Sequence, residues 1–351
     1  MTSLSECINV CVSCDDNYAQ YAGVVIASIL YNADKKDRLS FFVLDGGISE
    51  SHKNEILSLK SIKDCSIDFI EIDNKLFEEY RKIKTHSYIT LPACYRLRLS
   101  SLLPSIDRII YFDCDIVVNS SLSGLFNIDM GNYPIAGVKD INRRMISKSQ
   151  SYINSGVLLL DLKKWRENNV EEKLFEFTKA NADNIKKGDQ EIINRCMSDN
   201  IKVIDDEWNV QSSKFTNRSS YTNNPRVVHF VAQKKPWHWA NLSYHRNLYF
   251  KYLQLTPWRL SEEDFVHWTK NNQIASIFAY LKYRPFFFLR LRFYEAIFKT
   301  YIKPMFELKK PIIKSNTFIV WEPCSKSHSE VVPGYAKYLK DLGYQVSVIC
   351  H

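Results

Sequence analysis

Arg108-Ile109-Ile110-Tyr111-Phe112-Asp113-Cys114-Asp115 is an apolar run that ends in two carboxylates two residues apart. A side chain at the end of a buried strand in an α/β sheet stands at the edge where such sheets place ligands. Two carboxylate oxygens there, completed by water and phosphate, suit the octahedral shell of Mn²⁺ or Mg²⁺. Some phosphatases use the first Asp of such a pair as a nucleophile, and two exposed strand-end acids would look the same. The pair alone leaves these three readings level.

Other polar clusters carry compatible chemistry. Asp15-Asp16-Asn17-Tyr18 follows a first apolar run and offers acceptors for a base imide or ribose hydroxyls, with an aromatic face for a base. Asp15 or Asp16 could equally cap a helix, and both roles can coexist. Asn154-Ser155-Gly156 precedes another apolar run, where Asn154 can bond a sugar hydroxyl and Gly156 allows close backbone approach. Gly188-Asp189-Gln190-Glu191 opens a helical pattern, with Asp189 a plausible N-cap. His229 follows Arg226–Val228, and Lys235 lies six residues on, where it could meet a diphosphate as a point charge while the imidazole takes a metal.

Positioning these residues requires a layered domain. Short apolar runs alternating with helical periodicity predict an α/β fold with a mostly parallel sheet. Strands are expected at 8–12, 40–44, 66–72, 108–112, 133–138, 155–160, 202–204 and 226–231, and helices at 49–59, 163–180 and 189–198. Tyr18, Ala22, Val25 and Ile29 mark a further helix by their single buried stripe. No internal repeat is evident.

Composition removes other classes. The net charge of +8 is concentrated between Lys270 and Lys314, which holds ten Lys/Arg against two Asp/Glu; outside it the two signs balance. The body therefore lacks the basic face of a general nucleic-acid binder. Nine irregularly spaced cysteines do not form a disulfide framework, and one Cys11-x-x-Cys14 pair cannot complete a zinc site. Strand-packed thiols in a reducing compartment are expected. With no signal-like start and no apolar run near ~18 residues, the expected location is cytoplasmic. Basic and aromatic residues mixed across 281–310 suit an anionic membrane surface, so peripheral attachment to the cytoplasmic face is expected. A helix packing its rings on the body is the plainer alternative.

In order across residues 8–240, Asp15-Asp16-Asn17-Tyr18, Tyr95-Arg96-Leu97, Tyr111-Phe112-Asp113-Cys114-Asp115, Asn154-Ser155-Gly156-Val157-Leu158, Lys163-Lys164-Trp165-Arg166, Asp189-Gln190 and His229…Lys235-Pro236-Trp237-His238 together resemble glycosyltransferase family 8, nearest its bacterial lipopolysaccharide and lipooligosaccharide galactosyltransferase branch. Several rare motifs in sequence outweigh any one, and the phosphatase reading recedes. The resemblance implies a GT-A (Rossmann-like nucleotide-diphospho-sugar transferase) fold, a UDP-sugar donor, Mn²⁺ or Mg²⁺, and retention of anomeric configuration. It implies Asp113, Asp115 and His229 as metal ligands, Asp15, Asn17 and Tyr18 on the uridine, and Lys235 on the diphosphate. Arg96, Asn154, Gly156, Asp189 and Gln190 would meet the donor sugar, with Ser13, Asp16 and Cys114 also lining the donor site. Gln190 and Asp189 would stabilise the positive sugar. Ala232 stands where relatives often have glycine, which could alter backbone approach to the phosphate; Cys114 between the aspartates is expected to be harmless.

The expected reaction is hexose transfer, galactose before glucose, from a UDP-hexose to a glycolipid or oligosaccharide acceptor. A self-glucosylating primer protein of the glycogenin type and a non-catalytic sugar-nucleotide-binding module are the alternatives. The expected organisation is a catalytic domain at 1–255, a helical basic-aromatic membrane-associating or linker region at 256–314, and at 315–351 the start of a second domain resembling the GT-B type.

Overall fold

The computed structural model describes residues 7–83, 91–141, 152–212, 225–231, 235–238, 243 and 245–259, and the backbone of two strands at 317–322 and 345–350. The basic-aromatic stretch 281–310 and Ala232 lie outside the described residues.

A seven-stranded sheet forms the body. In chain order its strands are β1 (Ile8–Cys14), β2 (Leu39–Asp45), β3 (Ser66–Glu71), β4 (Arg108–Phe112), β6 (Ile135–Lys139), β7 (Ile153–Asp161) and β8 (Ile201–Ile204); β5 (Ile116–Val118) belongs elsewhere. The spatial order is β3-β2-β1-β4-β7-β6-β8. β7 alone runs against its neighbours β4 and β6, while the other pairs are parallel. β1 and β7 are almost wholly buried, as continuous apolar strands covered on both faces must be. The helix Ala19–Asn32 packs beside β1 with ten of its fourteen residues buried.

A second sheet of three short strands holds β5, β9 (Val210–Gln211) and β10 (Val227–His229) in the order β5-β10-β9. Pairing of β10 with β5 sets His229 opposite Ile116, and parallel pairing with β9 sets it beside Gln211. β5 and β9, of three and two residues, are too short for periodicity to reveal.

Most expected elements lie within two residues of their predicted bounds. Two corrections have local causes. The helix expected over 163–180 is two, Leu162–Glu167 and Val170–Asn181, because Asn169 adopts φ 51°, a left-handed conformation that stops the first. Asp189 is not an N-cap: the helix Gly188–Cys196 is preceded by Lys187, Gly188 takes φ 59°, and Asp189 lies in the first turn. Ser49 caps the helix Glu50–Ser58, accepting from the His52 amide.

Near the C-terminus β11 (Thr317–Glu322) and β12 (Gln345–Cys350) pair in parallel over six residues. Parallel neighbours require a crossover between them. Among the described residues no helix is long and apolar enough to cross a membrane.

Candidate active site

The ends of β1 and β4, the start of β7 and the end of β10 meet at one edge. The Asp113 amide donates to Gly156 O (2.9 Å) and the Phe230 amide to Asp115 O (2.9 Å), so backbone bonds lock both aspartates to the segments carrying Gly156 and His229. His229 Nε2 lies 3.0 Å from Asp115 Oδ1 and 3.8 Å from Asp113 Oδ2. Among the described residues these three form the one cluster of His, Cys, Asp or Glu with metal-ligand spacing, its ligand atoms within 4.8 Å of one another. Asp115 Oδ1 is buried and receives no aligned hydrogen bond from the described residues. A buried carboxylate oxygen without a donor is costly unless a cation meets it. Two carboxylates and one imidazole suit a hard to borderline divalent ion with open positions for water or phosphate.

Cationic side chains brace the acids. Arg96, 3% exposed in its side chain, reaches Asp113 Oδ1 at 2.5 Å and lies 3.3 Å from Asp189 Oδ2. It also donates to Ser155 O (2.6 Å) and Ala93 O (2.8 Å), and its guanidinium sits 4.1 Å from the centre of the Tyr111 ring. Burial works against the Arg96 charge, but Asp113 and Asp189 hold its pKa above the usual value. Burial raises the Asp189 carboxyl, Asp113 adds to the rise, and Arg96 opposes it. Asp115 moves the other way: burial alone would raise it, yet Lys235, and then His229 in its protonated form, pull it below the ordinary range. Lys235 Nζ pairs with Asp115 Oδ2 and donates to Phe230 O (3.0 Å).

The remaining expected residues divide. Asp15 Oδ1 accepts from the Tyr18 amide (3.1 Å), the capping role left open above. Asp16 is tied to the Ser49 amide (2.9 Å) and His52 Nδ1 (2.7 Å). Ser13 Oγ donates to Pro92 O (2.7 Å), while Asn17 is exposed. Tyr18 is half-buried against Tyr21; burial and then Asp115 raise its hydroxyl pKa, which puts it within electrostatic reach of the cluster. The Cys114 thiol turns to Ser13 O (3.2 Å), away from the role of a ligand. Seven cysteines are free among the described residues, four of them buried.

Gly156 has a role beyond backbone approach to a sugar. A Cβ there would stand 2.2 Å from His229 Cε1 and 2.8 Å from Asp113 Oδ2, so the missing side chain is the space two of the cluster's residues occupy. Gln190 Nε2 donates to Asp140 Oδ2 (3.0 Å), and its Oε1 accepts from Asn154 Nδ2 (3.1 Å) and the Ser155 amide (3.3 Å). Sequence reasoning missed Asp140 and Asn209, which no periodicity or motif marks, since each acts through a partner remote in the chain; Tyr111 stood in a quoted motif, but its place against Arg96 was not foreseen.

Comparison with known proteins agrees with this geometry. Glycosyl transferase family 8 matches residues 9–240. General stress protein A of Bacillus subtilis (strain 168) is 31% identical over 270 residues, which cover 70% of this chain and 93% of that protein. A putative glycosyltransferase of Haemophilus influenzae is 33% identical over 214 residues, covering 58% of this chain but only 64% of the relative's length. Lipopolysaccharide 1,2-glucosyltransferase of Escherichia coli (strain K12) is 26% identical, with 73% of this chain and 80% of that one aligned. The solved structure of the galactosyltransferase LgtC with donor and acceptor sugar analogs superposes with a TM-score of 0.63 at 24% identity, over 73% of this chain and 98% of that one. That likeness identifies the fold as GT-A. The ordered motifs and the family match across most of the described body lead to one statement: this chain belongs to glycosyltransferase family 8.

Proposed function

We propose that the protein is a retaining, metal-dependent hexosyltransferase that takes galactose, or next glucose, from a UDP-sugar and gives it to a glycolipid or oligosaccharide acceptor. The observation that carries this reading is the convergence of Asp113, Asp115 and His229, with the bare Asp115 Oδ1 facing the imidazole. A divalent ion bound there would supply Lewis-acid stabilisation of the leaving diphosphate. Arg96 fixes the Asp113 carboxylate, and Lys235 stands beside Asp115 as a point charge able to meet phosphate oxygens. Such contacts speed transfer because they act most strongly on charge that grows as UDP departs. Removing one costs on the order of 3 kcal/mol, about a hundredfold in rate.

At the sugar, Asp189 and Gln190 lie on one helix turn, with Arg96 against Asp189. The Gln190 carbonyl oxygen already accepts two hydrogen bonds, which leaves it poorly placed to attack the anomeric carbon. That supports attack by the acceptor hydroxyl on the face UDP is leaving. Asp15, Asn17 and Tyr18 are assigned to the uridine. Residues 281–310 are assigned to an anionic membrane surface, and 315–351 to the opening of a second domain; the parallel pairing of β11 with β12 supports the latter. Relatives whose names include lipopolysaccharide 1,2-glucosyltransferase support a glycolipid or oligosaccharide acceptor.

The test is release of UDP from a panel of UDP-sugars, with and without Mn²⁺, by the wild type and by Asp115→Asn. Mn²⁺-dependent release with UDP-galactose or UDP-glucose, lost in the variant, is expected. No metal dependence, or full activity in the variant, would overturn the reading.

A further inference from the structure

His229 has two ring nitrogens, and only an unprotonated one can take a metal. Nε2 faces Asp113 and Asp115, while Nδ1 lies 3.0 Å from Asn154 Oδ1 and 3.2 Å from Asn209 Oδ1. Whether those two atoms are oxygens follows from groups whose roles are invariant. The Gly156 amide can only donate, and it lies 3.1 Å from the Asn154 atom that faces His229; that atom is therefore the carbonyl oxygen. The Asn154 amide nitrogen then points to Gln190 Oε1, which also accepts from the Ser155 amide, while Gln190 Nε2 donates to the Asp140 carboxylate. Asn209 lies against the same Asn154 oxygen at 2.9 Å and must offer it an N–H, which turns the Asn209 oxygen to His229. Asn209, Asn154 and His229 are 2%, 7% and 4% exposed, so water cannot readily substitute for these partners.

We infer that Asn209 is a positioning residue: with Asn154 it holds the proton of His229 on Nδ1, so that the Nε2 lone pair is presented to the cation between Asp113 and Asp115. The inference rests on the metal-site reading above. Asn209 sits between the turn Asp206–Trp208 and β9, and β9 pairs directly with β10, so its reach to the imidazole is set by strand pairing. Outer partners of a ligating histidine that fix its tautomer typically contribute ten- to hundredfold in metal affinity.

Two measurements on the whole chain test this. The first is the long-range ¹H–¹⁵N spectrum of the His229 ring in metal-free protein, at a pH where the ring is neutral, which distinguishes the two tautomers. The second is Mn²⁺ affinity from the electron paramagnetic resonance of the free ion. The wild type is expected to carry its proton on Nδ1. Asn209→Leu, of similar volume but without an acceptor, is expected to gain the Nε2–H form and to bind Mn²⁺ about ten- to hundredfold more weakly. Asn209→Asp keeps an acceptor for Nδ1 but loses the N–H given to Asn154 Oδ1, so it is expected to retain the Nδ1–H tautomer and to bind Mn²⁺ more tightly than Asn209→Leu does. A wild type protonated on Nε2, an Asn209→Leu spectrum and affinity like the wild type's, or an equal loss in both variants would overturn the inference. If the wild type bound no Mn²⁺, the functional reading would fail instead, and the ring spectrum would still decide the tautomer.

Discussion

Gly156 shows how little room the cluster leaves. Its hydrogen is replaced in Gly156→Ala by a methyl that falls 2.2 Å from His229 Cε1 and 2.7 Å from Nδ1, far inside van der Waals contact. The Gly156 carbonyl is held by the Asp113 amide and the Gly156 amide by Asn154 Oδ1, so the ring must move. Mn²⁺ affinity and turnover are expected to fall by at least about a hundredfold, as when an electrostatic contact is lost outright, with circular dichroism unchanged; an unaltered Mn²⁺ titration would refute this. Arg96 presents a different kind of dependence. Arg96→Met leaves Asp113 and Asp189 without their shared cation, and stranding a buried partner costs about 3–5 kcal/mol. Urea denaturation should register that loss, and a variant as stable as the wild type would remove Arg96 from the role assigned to it.

At the scale of elements, junctions carry the information. Asp16 ties the turn after β1 to the start of the helix Glu50–Ser58 through the Ser49 amide and His52. The Ser49 amide first, then the Ser49 hydroxyl and His52, hold its pKa at about 2. A carboxyl lowered by folding stabilises the fold when ionised. Its contribution is therefore present above the ordinary Asp value near ~3.9 and disappears as the pH falls toward the folded value. Asp16→Asn is expected to flatten the acid limb of a stability–pH profile in that window without affecting stability near neutrality by the same route; an unchanged limb would count against the assignment. The break at Asn169 is the second junction. Its left-handed backbone costs a β-branched residue about 1–2 kcal/mol, so Asn169→Val is expected to lower stability by that much while Asn169→Gly is tolerated. Equal denaturation midpoints for the two variants would show that the turn can relax.

Over the whole molecule, the body is closed by chain that follows the catalytic motifs. Asn32 on the first long helix donates to Val118 O (2.9 Å) and to the Tyr252 hydroxyl (2.8 Å), which in turn donates to Asn119 Oδ1 (2.5 Å). Three segments remote in sequence thus share one polar knot. Trp258 lies over Gly23, where a Cβ would come within 2.3 Å of its ring. Trp258→Ala is expected to cost about 2 kcal/mol of stability, the burial of one part-covered aromatic, with Mn²⁺ affinity retained because the ring packs on Gly23 and His52, neither of them a candidate ligand. A loss of metal binding in step with stability would show that this packing also holds the site.

Read as a string, the chain determined whatever local pattern dictates. Strand β4 and its two aspartates, the stripe of the first helix, the polar corner before β7 and the ordered family motifs were all legible, since each needs only neighbours in sequence. Capping of the turn by Asp15 was legible as an option for the same reason. Tertiary structure alone decided the rest. Lys235 meets Asp115 across 120 residues of chain and Asn154 meets His229 across 75, contacts created when β10 docks between β5 and β9. Strands of two or three residues carry no periodic signal, because they are held by pairing partners rather than by their own composition. The roles of Gly156, Asn209 and Asp140 follow from that docking, since each is defined by atoms that approach only after the sheets have formed.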